Sequence, residues 1–332
     1  LVFSKAVAIF IQRERTICVN TLRPRKLKRG DLIGLIAPAS AVADATKIEK
    51  AVRYFESLSY RVLVGKNVGK VHGYLAGTDD ERLADVHAMF SNNRVKAILA
   101  LRGGYGTPRL LPLVNYTLIA RNPKILCGFS DMTALQLALW KHCRLVTFHG
   151  PMAAVDFAND LDPFTEEMFW RTITSSAKPD AIQFSLDGSA SVSRQRSARG
   201  RLLGGNLSLV VSLLGTQHQP TFRNALLFLE EVTEEPYRID RMMMHLSNAA
   251  VLAQANGLLL GQFTDCKPAD PTKPSQTTDQ VLDDIVARFK KPTLRNVPFG
   301  HTAKKMTLPI GVRAELDAKK QTLRLTEAAV LD

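Results

Sequence analysis

A serine nucleophile needs a base to take its proton and a third group to orient that base. The stretch Lys124–Trp140, KILCGFSDMTALQLALW, offers the serine. Ile125, Leu126 and Cys127 form an apolar run of buried-strand length, Gly128 punctuates it, and Met132–Trp140 follows with near-helical apolar spacing. Ser130 and Asp131 therefore stand where a strand stops and a helix begins. Two readings of Ser130 are open. A serine there can cap the helix by accepting an orphan backbone N–H. It can also be a nucleophile on a tight strand-to-helix turn, with helix amides nearby to receive an oxyanion. GFSDM departs from G-x-S-x-G because Met132 replaces the second glycine.

Partners for the serine lie at the ends of other apolar runs. Of seven histidines, His87, His142 and His245 fall within helical patterns and read as surface or packing residues. His149 and His301 instead follow predicted strands, in FHGP and PFGH. Each can be a loop imidazole or line a site. Glu230 ends the run ALLFLE. It marks either the point where a buried strand surfaces or a carboxylate beside a cleft that orients a base. The segment RGGYG directly follows the run AILAL and places Arg102, Gly103, Gly104 and Tyr105 at a strand end.

The elements that must position these residues alternate. Predicted strands at 32–37, 60–64, 97–101, 125–127 and 145–148 are separated by helices, including 44–58 and a helix capped by Thr78 with Asp79, Asp80 and Glu81 in its first turn. Buried strands in such alternation mean a mostly parallel, doubly wound α/β sheet, whose ligands bind beyond the C-terminal strand ends. RGGYG and GFSD both lie at such ends. Residues 175–200 are polar and Ser-rich, a linker with a short strand near Ile182–Phe184. A smaller α/β domain follows: GGNLSLVVSLLGT as a glycine turn, an Asn206 cap and a helix, then strands at 225–229 and 257–260, helices at 237–246 and 277–290, and a β-rich tail. The expected division is a basic extension 1–30, a domain 31–174, the linker 175–200 and a domain 201–332.

Composition narrows the function. The chain has 332 residues, 45% hydrophobic and 23% charged, as an ordinary globular protein does. Its net charge is +13, but residues 1–30 hold eight Lys/Arg against one acid, Glu14. With no zinc-finger, RRM or aromatic-interleaved basic motif, nucleic acid is not the expected partner. Cys18, Cys127, Cys143 and Cys266 form no C-x-x-C pair, so neither a metal site nor a disulfide framework is expected. No apolar run reaches the roughly 18 residues of a membrane span. A cytoplasmic setting fits, with export left open because the chain begins at Leu1. The basic segment 1–29 is expected to be dispensable for catalysis.

Seven blocks in order, GYLAGTDDERLADV, LRGGYGTPRLL, CGFSDMTAL, TFHGPM, LGGNLSLVVSLLGT, LFLEEVTEEPYRIDRMM and VPFGH, resemble the LD-carboxypeptidases, also called muramoyltetrapeptide carboxypeptidases. The likeness runs from about residue 31 to the C-terminus. It implies a Ser–His–Glu triad: Ser130 as nucleophile, His301 as base, and Glu230, the first of its two acids, as orienting carboxylate. It further implies oxyanion donors at the Gly104 and Asp131 amides, substrate contacts from Arg102, Gly103, Tyr105 and His149, no cofactor, and a possible homodimer. The implied reaction removes the terminal D-alanine of a murein tetrapeptide in peptidoglycan recycling. Microcin-C-resistance peptidases of the same family cleave a peptide–nucleotide amide with the same triad. A catalytically silent binding module, with Ser130 as a plain cap, is the alternative from another class.

Overall fold

The computed structural model describes residues 20–177, 182–183 and 197–332. Two sheets organise it. The first contains β1 (Leu32–Ile36), β2 (Arg61–Val64), β3 (Val95–Ala100), β4 (Ile125–Gly128) and β5 (Thr147–His149), all parallel. The second contains β6 (Ile182–Gln183), β7 (Ser197–Asn206), β8 (Ala225–Val232), β9 (Gly257–Thr264) and β10 (Thr293–Leu294). The tail supplies β11 (Leu308–Ile310), β12 (Arg313–Asp317) and β13 (Thr322–Leu325). The strand orders are β11-β5-β4-β3-β1-β2 and β10-β9-β8-β7-β12-β13-β6. This is the expected two-domain, mostly parallel α/β architecture.

Three local readings change. The tail does not form one β-rich region: β11 runs antiparallel along β5 in the first sheet, while β12 and β13 join the second. Gly204 and Gly205 make no turn; they end β7, because a Cβ at Gly204 would sit 1.8 Å from the Phe228 carbonyl oxygen and one at Gly205 would sit 2.4 Å from Thr133 Oγ1. Third, β7 begins at Ser197, inside the stretch read as linker.

The helix Met132–Cys143 holds the two sheets in register. It is buried at Met132–Trp140 and again at Cys143. A helix apolar on every side must be enclosed on every side. Gln136 Nε2 donates to the Gly128 and Phe148 carbonyls, fixing the helix to β4 and β5. Thr133 Oγ1 accepts from the Asn206 amide at 3.0 Å, fixing its first turn to the end of β7. Asn206 pairs in register with Glu230 on β8. The helix that follows Ser130 is thereby tied to the strand that carries Glu230.

The helix at Asp79–Ser91 has the expected start, a capping box between Thr78 and Glu81. Among the described residues, no helix is long and apolar enough to cross a membrane, and no three His, Cys, Asp or Glu are placed to hold a metal ion.

The expected boundary of a separate extension at residue 30 needs correcting. Residues 1–19, with Ala6–Ile11 and Cys18, lie outside the described residues, but 20–29 belong to the body. Leu22 bridges Leu145, Lys26 N donates to the Leu331 carbonyl, and Arg23 pairs with Glu327 at 2.6 Å. Leu27 is only 2% exposed, and its amide donates to Ile173. Burying one leucine is worth about 1.5–3 kcal/mol. Deleting residues 1–29 is therefore expected to cost at least about 2 kcal/mol, read as a lower denaturant midpoint. A midpoint equal to that of the full chain would show that this segment adds nothing to the fold.

Candidate active site

The first sheet, without β11, has the strand order 2-1-3-4-5, whose direction of winding reverses between β1 and β3. Loops leaving β1 and β3 part there and open a crevice at the C-terminal strand ends. A cavity of about 400 Å³ lies at these strand ends. Val42, Asp44 and Lys47 line it from the segment after β1, Arg102, Gly103 and Gly104 from the loop after β3, Phe129 and Ser130 from the turn after β4, and Met152, Val155 and Asn159 from the segment after β5. His301 lines it from the second domain.

Ser130 has φ +64, a left-handed conformation that costs a residue with a Cβ roughly 1–2 kcal/mol. It is not the helix cap. Asp131 holds the N-cap position and makes no side-chain cap bond. The capping explanation of Ser130 therefore falls away, and the sharp turn presents its hydroxyl to the cavity. Gly103 faces it: a Cβ there would lie 2.8 Å from Ser130 Cβ and 2.9 Å from Oγ. Gly104, at φ +106, packs on Ser40 instead, where a Cβ would lie 2.3 Å from the hydroxyl oxygen. The two glycines thus admit different neighbours, Gly103 the nucleophile turn and Gly104 the Ser40 side chain.

The amides of Gly104 and Asp131 have no acceptor among the described residues. The Asp131 side chain, fully buried, fixes their relative position. Its Oδ2 accepts from the Thr107 amide at 2.7 Å, and its own carbonyl accepts from Thr107 Oγ1 at 2.5 Å. Burial pushes the Asp131 carboxyl above the usual carboxylate range, opposed by these Thr107 bonds. The loop after β3 is thus pinned to the turn after β4.

Glu230 and His301 meet across the second domain. Glu230 is fully buried, and its Oε2 accepts from His301 Nδ1 at 2.7 Å and from the His301 amide at 3.3 Å. Gly300 makes this approach possible. It has φ +102, and a Cβ there would lie 2.6 Å from Glu230 Oε2. The His301 ring stands edge-on to Phe129 at 4.9 Å between centroids. Glu231 has a different occupation. Its carboxylate accepts from Asn206 Nδ2, Val232 N and both the amide and hydroxyl of Ser208. Of the two adjacent acids, only Glu230 reaches an imidazole. With Nδ1 committed to Glu230, Nε2 of His301 is the nitrogen available to take a proton at the cavity.

Two expected contacts are corrected. His149 does not line the cavity: it is 1% exposed, edge-on to Phe129, Phe228 and Phe299, and neither ring nitrogen has a partner among the described residues. Tyr105 stands outside the lining, its ring against Tyr74 at 5.7 Å. Residues missed by the sequence reading include Lys305, whose ammonium lies 4.5 Å from the Phe129 ring centroid and pairs with Asp156 at 2.5 Å. Asp156 Oδ2 in turn accepts from the Met152 amide, which fixes the wall formed by Met152 and Val155.

Burial, and then the charges of His301 and Lys305, lower the His149 pKa from 6.5 to about 3. The unfolded chain therefore takes up a proton that the native state refuses between those values. Stability present above pH 6.5 is lost as pH falls toward 3, by up to about 1.4 kcal/mol per pH unit. His149→Leu is expected to flatten this slope in urea midpoints measured from pH 7 to 4. Parallel slopes for the two proteins would contradict it.

Residues 33–150 match the LD-carboxypeptidase N-terminal domain model, and residues 199–316 match the LD-carboxypeptidase C-terminal domain model. The chain belongs to the LD-carboxypeptidase family of serine peptidases. It is 39% identical over 306 residues to the probable murein peptide carboxypeptidase of Bacillus subtilis, covering 90% of this chain and 93% of that protein. The crystal structure of the muramoyltetrapeptide carboxypeptidase from Oxalobacter formigenes superposes with a TM-score of 0.80 at 33% identity, covering 89% of this chain and 97% of that one. The microcin C7 self-immunity protein MccF, solved in complex with glutamyl sulfamoyl guanosine, has the same fold, with a TM-score of 0.83 at 24% identity over 93% of this LD-carboxypeptidase-family chain and 100% of that one.

Proposed function

We propose that this enzyme is an LD-carboxypeptidase that removes the terminal D-alanine from murein tetrapeptides through an acyl-enzyme. The observation that carries the reading is the 2.7 Å bond from His301 to buried Glu230, with His301 and Ser130 lining one cavity. Ser130 Oγ attacks the carbonyl carbon of the amide that joins the L-centre to D-alanine, as His301 Nε2 takes the hydroxyl proton. The oxyanion forms toward the Gly104 and Asp131 amides, each such donor being worth about 100- to 1000-fold in rate. The C–N bond then breaks, His301 gives the proton to the leaving D-alanine amine, and an ester remains on Ser130. Water, deprotonated by His301, hydrolyses that ester and restores the enzyme. Glu230 holds the imidazole tautomer and stabilises the imidazolium. Lys47 and Arg102 bring positive charge to the cavity for the substrate's terminal carboxylate.

The same reading places the enzyme in peptidoglycan recycling, in the cytoplasm and as a homodimer, the last checked by light scattering after size exclusion. Support for a muropeptide over a peptide–nucleotide substrate comes from the relatives at 39% and 33% identity, named a probable murein peptide carboxypeptidase and a muramoyltetrapeptide carboxypeptidase. The test is turnover of a murein tetrapeptide and of a peptide–nucleotide amide by one preparation, followed by mass spectrometry. Release of D-alanine with the nucleotide amide intact is expected. Cleavage of the amide alone would replace this reading with the microcin-resistance one.

A further inference from the structure

The helix that begins after Ser130 ends at a second cavity. Its 12 residues span about 18 Å, so this cavity lies well away from Ser130. It encloses about 550 Å³ and shares no lining residue with the first. Five arginines line it, Arg144, Arg199, Arg201, Arg223 and Arg313, around Trp140, and among the described residues no acid does. Arg199 is paired with Glu315 at 3.0 Å and Arg201 with Glu327 at 3.2 Å. The guanidinium groups of Arg144, Arg223 and Arg313 have no carboxylate partner among the described residues, although the Arg313 backbone amide donates to Glu327. The guanidinium carbons of Arg144 and Arg201 lie 5.2 and 5.4 Å from the centroid of the same Trp140 ring.

Like charges gathered in a concavity repel one another, and the concavity focuses their field outward. That repulsion is relieved by an anion. Burial pushes the Arg201 guanidinium below its ordinary pKa, opposed by Glu327 and reinforced by the charges of Arg313 and Arg23. We propose that this cavity binds a small, multiply charged organic phosphate of the diphosphate class. Three unpaired guanidinium forks call for more than the single charge of a carboxylate, and arginine forks match phosphate oxygens two at a time. The volume falls in the range of roughly 300–1,000 Å³ typical of small-ligand sites. Asn224, Thr21 and Thr326 are polar residues of the same lining. An extended nucleic acid fits less well. The charges surround a hollow rather than forming a stripe, and Trp140, 3% exposed and faced by guanidiniums, offers no surface for stacking a base.

Isothermal titration of the full chain with inorganic pyrophosphate and with ADP, at near-physiological salt, tests this. Saturable one-to-one binding is expected. Arg223→Gln and Arg313→Gln should each weaken it about tenfold or more, the loss of a charge-assisted hydrogen bond. Arg223→Lys, which keeps charge but loses the fork, should fall between. Thermal midpoints without ligand identify any variant that fails to fold. Vesicles containing phosphatidic acid separate two sources of the same chemistry. Capture by the vesicles, reversed by pyrophosphate, assigns a lipid headgroup; binding of the soluble diphosphates alone assigns a free one. Non-saturable binding, binding indifferent to Arg223 and Arg313, or duplex DNA binding that pyrophosphate cannot displace would each overturn the proposal.

Discussion

Ser130→Ala is expected to lower kcat for D-alanine release by about 10,000-fold or more, the usual loss when an activated nucleophile is removed. The fold should survive. The serine hydroxyl caps no helix, so removing it deletes no structural bond to the first turn. Alanine keeps the backbone strain of φ +64, and glycine relieves it. Ser130→Gly should therefore be equally inactive yet at least as stable as Ser130→Ala in urea. The pair separates chemistry from folding: if the glycine variant regained activity along with stability, Ser130 would be a turn residue and not a nucleophile.

Glu230→Gln carries the second large effect. The amide fills nearly the same volume in the fully buried position but presents no charge to His301 Nδ1. A loss of about 1,000- to 10,000-fold in kcat is expected, with KM little changed, because Glu230 does not line the cavity and acts only through the imidazole. Its neighbour provides the contrast. Glu231 accepts bonds from Asn206, Ser208 and Val232, so Glu231→Gln should cost stability, about 1.5–3 kcal/mol for a charged hydrogen-bond centre, before it costs rate. Steady-state kinetics beside urea titrations distinguish the two. If Glu231→Gln lost kcat at full stability while Glu230→Gln kept it, the roles of the two acids would be reversed.

How much of this was legible in the sequence depends on the range of the interaction. Ser130, Glu230 and His301 each follow an apolar run, and a polar residue at such a place is a visible candidate in the sequence, although Glu230 proves fully buried within β8 and His301 follows a loop after β10 rather than a strand. The strand–helix alternation likewise follows from local periodicity. His149 has the same local signature as His301, yet it is enclosed by Phe129, Phe228 and Phe299, two of them from the second domain. Nothing within a few residues of His149 reveals that. The pair Gly204–Gly205 looks like a turn because glycine usually marks one; here it admits Phe228 and Thr133 at close range. The return of β11 to the first sheet and the Lys305–Asp156 pair, 149 residues apart in the chain, depend on how the domains meet. Thr107 was hidden for a related reason: its contacts with Asp131 cross from one strand-end loop to the next.

The central claim is that Ser130 carries the acyl group of a murein tetrapeptide during turnover. Rapid acid quench of enzyme with saturating tetrapeptide, followed by intact-mass measurement and peptide mapping, tests it most directly. The expected result is an adduct equal to the tetrapeptide less D-alanine, mapped to the peptide containing Ser130 and absent from Ser130→Ala. An adduct on another residue, or undiminished D-alanine release by the Ser130→Ala chain, would contradict the account.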